Sequence, residues 1–201
     1  AERGLSVGDM ATEFNNRLYK VLPDDMFCAA IVVEMSANGD RISCWNGGMP
    51  DALLLDAQGR LAHRIKPQHM ALGILSRSEF NSQLEHYFLS PGQRLVMFSD
   101  GVVEACNHKN QMIGEERFAN WVTEMLDSDC SEVQFNAIVQ RIDDFTGNAS
   151  LNDDLSLVCL QCQPTGLEPQ ARSIKGYHLP FSLRVTLTEY EAGLPVSVAF
   201  P

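Results

Sequence analysis

The sequence predicts an α+β fold built on largely antiparallel sheets. Three observations predict it. Apolar, strand-like runs follow one another through hairpin-type turns. Segments of helical periodicity group together instead of alternating with strands. A βαβ rhythm, which would build a parallel sheet, is not the dominant pattern. The 201 residues suit one domain, or one domain with an appendage. With 45% apolar and 20% charged residues the composition is that of a globular protein, which excludes wholesale disorder.

The elements read in order. Ser6 followed by Asp9 forms a capping box, and Met10, Phe14, Leu18, Val21 and Leu22 then recur at three- and four-residue steps, so a helix begins at Ser6 and breaks at Leu22-Pro23-Asp24-Asp25. Met26 to Met35 is a run rich in Val, Ile and Ala and reads as a well-buried strand. Asn38-Gly39-Asp40 signals a hairpin, with Arg41 to Asn46 returning. Gly47-Gly48-Met49-Pro50 is a sharp turn, Asp51 to Leu55 a third strand, and Arg60 to Ile65 a short fourth one. Residues 66–79 read as a loop, Phe80 to Leu89 as a strand, and Ser90-Pro91-Gly92-Gln93 as a turn. Arg94 to Phe98 is an apolar strand that ends abruptly in Ser99-Asp100-Gly101.

Two helices follow. Ile113-Gly114 leads into one that carries Phe118, Trp121, Val122 and Met125 on one side. Ser131 with Gln134 caps the second, and Gly147 ends it. Asn152-Asp153-Asp154 precedes a strand from Leu155 to Gln161. Pro164, Gly166, Pro169 and Gly176 then mark a linker-like stretch, and Phe181 to Leu187 is the last strand candidate. The expected organisation is a domain over 1–163 and a linker with an extra strand over 164–201, packing on the domain or leading to a further one.

Fifteen basic residues against 26 acidic ones give a net charge of −11. Such a chain repels phosphate backbones and anionic lipid, so neither nucleic acid nor membrane is an expected partner. No apolar run approaches the ~20 residues that span a bilayer, and the N-terminal residues lack a signal-peptide core. Cysteines occur at 28, 44, 106, 130, 159 and 162, several within apolar runs, as expected of small buried hydrophobes in a reducing cytoplasm. Cys159 and Cys162 form one C-x-x-C. It could bind zinc or act in redox, but residues three apart on a strand face opposite sides and no second pair completes a site. The structural reading of these cysteines is preferred.

Three places could carry chemistry. Asp100, followed by Gly101 at a strand end, is an exposed carboxylate where the backbone can bend freely; it is either a ligand for a hard cation such as Mg²⁺ or Mn²⁺ or a turn initiator. Asp153 and Asp154 are adjacent acids at a strand start, which repel each other unless solvated or shared by a cation. A strand end and a strand start meet at one sheet rim if the two strands are antiparallel neighbours. That arrangement would set Asp100 and Asp153 around one ion. The third place, Trp45-Asn46-Gly47-Gly48-Met49-Pro50-Asp51, permits close backbone approach, either to hold a substrate or to make a tight turn. The five histidines show no zinc spacing, and neither a G-x-S-x-G nucleophile elbow nor a P-loop occurs.

Taken in order, these pieces resemble the bacterial type 2C metal-dependent protein phosphatases of the stage-II-sporulation-E and RsbU-like branch. The residues that carry the resemblance are Met26-Phe27-Cys28-Ala29-Ala30, Trp45-Asn46-Gly47-Gly48-Met49-Pro50, Ala71-Leu72-Gly73-Ile74, Ser90-Pro91-Gly92-Gln93-Arg94-Leu95, Phe98-Ser99-Asp100-Gly101-Val102-Val103-Glu104-Ala105 and Asn152-Asp153-Asp154-Leu155-Ser156-Leu157-Val158. The Gly-Gly-Met-Pro-Asp variant, with Met49 where the branch has His, looks most like output domains of RssB-like response regulators.

The resemblance implies a sandwich of two antiparallel sheets flanked by helices, with two Mn²⁺ or Mg²⁺ ions at one end. It implies that a metal-activated water hydrolyses phosphoserine or phosphothreonine without a phosphoenzyme. Asp100 and Asp153 would serve catalysis as metal ligands, with Asp154 next to the ligand position and Gly101 allowing the turn that aims Asp100. The implied partner is a phosphorylated regulatory protein of the anti-sigma-antagonist type, or a sigma factor. The alternative is a pseudophosphatase that recruits such a partner without catalysis. The branch's upstream metal motifs do not occur here, and Gly8-Asp9 belongs to the helix cap. The domain is therefore expected to lack its N-terminal part, and two carboxylates alone to hold metal weakly. The apolar stretch Leu194 to Phe200 is an expected homodimer contact.

Overall fold

The computed structural model describes residues 6–36, 39–126, 132–147, 153–162, 185–191 and 194–200. The chain divides into two compact units, one formed by residues up to Met49 with Lys66–Leu89, the other by Pro50–Ile65 and Ser90 onward.

The first unit holds helix α1 (Val7–Val21) and the strands β1 (Ala30–Met35), β2 (Arg41–Gly47) and β5 (Glu85–Phe88), ordered β1-β2-β5 and antiparallel throughout. The capping box forms: Asp9 N–H donates to Ser6 Oγ, and Asp9 Oδ2 accepts from the Ser6 N–H. Asp9 is thereby committed to the helix start. Val7, Ala11, Trp45 and Leu72 form the core of this unit. Asn15 is fully buried in α1 and clamps the following loop, donating to the Leu75 carbonyl at 2.9 Å and accepting from Gly73 N–H at 3.0 Å.

Two expectations change here. The strand expected over 26–35 starts only at Ala30 and is half exposed, because β1 is an edge strand with one neighbour. The strand expected over 80–89 shrinks to Glu85–Phe88 because the segment before it packs on Trp45: Asn81 O accepts the Trp45 indole N–H, and the Phe80 ring lies 5.6 Å from the indole.

The second unit holds β3 (Ala52–Leu55), β4 (Leu61–Ile65), β6 (Arg94–Phe98), the short helix α2 (Asp100–Glu104), α3 (Glu115–Met125), α4 (Glu132–Thr146), β7 (Ser156–Gln161), β8 (Val185–Glu191) and β9 (Leu194–Phe200). Its strands form one antiparallel sheet in the order β4-β3-β6-β7-β8-β9. Leu53, Val96, Phe98 and Leu157 from the strands pack with Phe118, Val122, Phe135 and Ile138 from α3 and α4. Each such side chain contributes about 1.5–3 kcal/mol by leaving water. Edge-to-face ring pairs Phe98–Phe118 and Trp121–Phe145 fix the helix positions.

Within this unit α2 replaces the turn expected at Ser99-Asp100-Gly101. The final strand expected over 181–187 is observed at Val185–Glu191, with 181–184 outside the described residues, and Leu194–Phe200 forms a further strand. Arg94 opens β6 fully buried, and its guanidinium donates to the Leu126 carbonyl at the C-terminal end of α3 and to the Asp56 carbonyl. A cation at a helix C-terminus is favourably placed.

Candidate metal site at the β6–β7 junction

β6 and β7 are antiparallel neighbours, and Phe98, the last residue of β6, pairs with Leu157 near the start of β7. The end of one strand therefore lies beside the start of the other. Asp100 leaves β6 into the first turn of α2, while Asp153 and Asp154 lead into β7, and all three are exposed.

Two small residues make the junction. Ser99 joins the segments by three hydrogen bonds. Its N–H donates to Ser156 O at 2.9 Å, its Oγ donates to Asp154 O at 3.1 Å, and its Oγ accepts from Ser156 N–H at 2.9 Å. Gly101 lets them approach. A Cβ built on Gly101 would run into the Asp154 carbonyl and stand 3.4 Å from the Asp153 Cβ. Gly101 lies within α2, has no positive φ, and its carbonyl accepts the Ala105 N–H. Its lack of a side chain matters because of close approach.

The carboxylates are also oriented. Asp100 Oδ1 accepts the Gly101 N–H at 3.0 Å, and Asp153 Oδ1 accepts the Asp154 N–H at 2.8 Å. Among the described residues neither second oxygen has a hydrogen-bond partner, which leaves it for another ligand. Hard cations prefer such oxygen donors, and Mg²⁺ commonly takes one or two carboxylates while retaining water. In donor chemistry the Asp100 and Asp153 carboxylates suit a hydrated Mn²⁺ or Mg²⁺ ion. Among the described residues, no group of three or more His, Cys, Asp or Glu converges to hold an ion on its own.

The remaining candidates are structural. Trp45 is buried, stacks on His69 at 5.3 Å, and Asn46 Oδ1 accepts the Met49 N–H. Gly48 has φ +79° and faces Ala71, so that segment is a tight turn packed on its own unit. Cys159 is buried and Cys162 partly exposed. Asn152 lies outside the described residues. Ser99 is the residue that sequence reasoning missed. Its position before Asp100 was visible, but its partners come from a segment 55 and 57 residues away.

Comparison with known proteins gives the fold first. The SiaA PP2C domain of Pseudomonas aeruginosa superposes with a TM-score of 0.67 at 14% identity, covering 78% of this chain and 61% of that one. The phosphatase domain of the cell fate determinant SpoIIE from Bacillus subtilis, in its Mn-presoaked form, gives a TM-score of 0.51 at 13% identity over 85% of this chain and 81% of that one. Two antiparallel sheets with helices and these likenesses define the type 2C phosphatase class of fold. The profile of stage II sporulation protein E matches residues 1–163, and the chain belongs to that family. Protein IcfG of Synechocystis sp. is 24% identical over 98 residues, which are 49% of this chain and 15% of that protein. The chain thus spans about three fifths of the SiaA domain and a small part of IcfG.

Proposed function

We propose that this chain is the catalytic domain of a metal-dependent serine/threonine protein phosphatase. The observation that carries the reading is the β6–β7 junction, where Ser99 and Gly101 bring Asp153 against the Asp100 turn. Asp100 and Asp153 would hold Mn²⁺ or Mg²⁺, with Asp154 beside them. Such an ion, when bound, supplies Lewis-acid chemistry, lowering the pKa of water and offsetting charge on a transferred phosphoryl group. The chain's own task is to orient the two carboxylates, each by the next backbone N–H. No helix among the described residues is long and apolar enough to cross a membrane. The proposed setting is a cytoplasmic response regulator acting on a phosphorylated anti-sigma-antagonist-type protein.

The second reading is a pseudophosphatase that binds such a partner, or a sigma factor, without turnover. It is favoured by the two-carboxylate donor set among the described residues. The test is Mn²⁺-dependent hydrolysis of a phosphoserine peptide by this chain beside its Asp100→Asn variant. Turnover that needs both the metal and Asp100 supports the phosphatase. No turnover, with retained binding of the unhydrolysed phosphoprotein, supports the second reading.

A further inference from the structure

Ser99 occupies the N-cap of α2, yet its side chain makes no capping hydrogen bond. A serine at that position ordinarily accepts an N–H from the first helical turn. Here the hydroxyl faces the other strand instead. It accepts from Ser156 N–H and donates to Asp154 O, so one oxygen is used in both directions. The two atoms it binds flank the segment that leads from Asp153 into β7. The Ser99 backbone N–H adds a third bond to the same strand.

We propose that Ser99 is a positioning residue that sets the register between Asp100 and Asp153. It acts through those carboxylates and touches no metal. Beside it, Gly101 leaves room for the Asp154 carbonyl, so hydroxyl and missing Cβ act on the same backbone segment. Without the hydroxyl, the segment 153–155 loses its two side-chain bonds to Ser99 and is held beside Asp100 only through the Ser99 N–H to Ser156 O bond and the β6–β7 pairing that follows. Outer residues that orient metal ligands typically change affinity ~10–100-fold when removed. This inference rests on the reading of Asp100 and Asp153 as ligands of one ion.

The experiment is Mn²⁺ titration followed by the free-ion electron paramagnetic resonance signal, on wild type, Ser99→Ala, Ser99→Thr and Asp100→Asn. Ser99→Ala should weaken binding ~10-fold or more, and Ser99→Thr, which keeps the hydroxyl, should stay near wild type. Affinity within two-fold of wild type for folded Ser99→Ala overturns the positioning role, as does equal loss in Ser99→Ala and Ser99→Thr. If Asp100→Asn binds as wild type does, the underlying site reading fails, and the positioning role with it. If Asp100→Asn loses binding while Ser99→Ala keeps it, only the positioning role fails. Amide hydrogen exchange in the metal-free wild type needs no variant to fold. The Ser156 N–H should be protected, and exchange at the rate of an open loop overturns the proposal.

Discussion

Gly101→Ala is the sharpest perturbation of the junction. The added methyl would overlap the Asp154 carbonyl, which is backbone and cannot swing away like a long side chain. The segment must retreat by roughly 1 Å to restore ordinary contact. The Ser99 hydroxyl bonds, now 2.9 and 3.1 Å, would then exceed bonding distance. Overpacking costs about 1–3 kcal/mol, and two lost hydrogen bonds add about 0.5–1.5 kcal/mol each. Alanine's better helix propensity returns about 1 kcal/mol. The net is a destabilisation of about 1–5 kcal/mol, centred near 3. At roughly 2–4 °C per kcal/mol for a chain of this size, the central value lowers Tm by about 6–12 °C. Circular dichroism melts of the two proteins measure it, alongside Mn²⁺ affinity, which should drop with the lost register. An unchanged or raised Tm would refute the reasoning, since it would mean helix propensity alone governs position 101.

Other predictions concern the parts that hold the two units. Asn15→Ala orphans the Gly73 N–H and the Leu75 carbonyl and should destabilise by about 2–4 kcal/mol in urea unfolding. Arg94→Met removes the Arg94 donor from the Leu126 carbonyl, while the Asp56 carbonyl keeps the Gly59 N–H, and a loss of about 1–3 kcal/mol is expected by the same measurement. Burial, and then the charge of Glu85, push the Cys44 thiol up to about 12. The unfolded thiol releases its proton near pH ~8.5. Between there and about 12 the folded state binds more protons, so Cys44 makes stability fall as pH rises through that window. At pH 8, a thiol reagent should label exposed Cys28 readily and leave Cys44 and Cys159 unmodified until unfolding.

Local signals in the sequence were enough for much of the fold. The Ser6–Asp9 cap, the Arg94–Phe98 strand and the α3 face are set by neighbours a few residues apart, so periodicity and capping residues reveal them. The conditional placement of Asp100 near Asp153 needed only one nonlocal fact, that β6 and β7 are antiparallel neighbours. What stayed hidden depends on distant partners. The exposure of β1 follows from its edge position, the shortening of β5 from the packing of Phe80 and Asn81 on Trp45, and the burial of Arg94 from carbonyls at 56 and 126. A run of apolar residues announces a strand, but not how many neighbours it has. Likewise, a glycine after aspartate suggests a bend, whereas the requirement at Gly101 comes from a carbonyl 53 residues later.

The central claim is that one ion is shared across the junction. Paramagnetic broadening in the amide NMR spectrum on adding Mn²⁺ tests it most directly. The account predicts that amides of 99–102 and 153–156 broaden together at the same Mn²⁺ concentration, and that Asp100→Asn removes both effects. Broadening of one segment alone, or of both undiminished in Asp100→Asn, would contradict it.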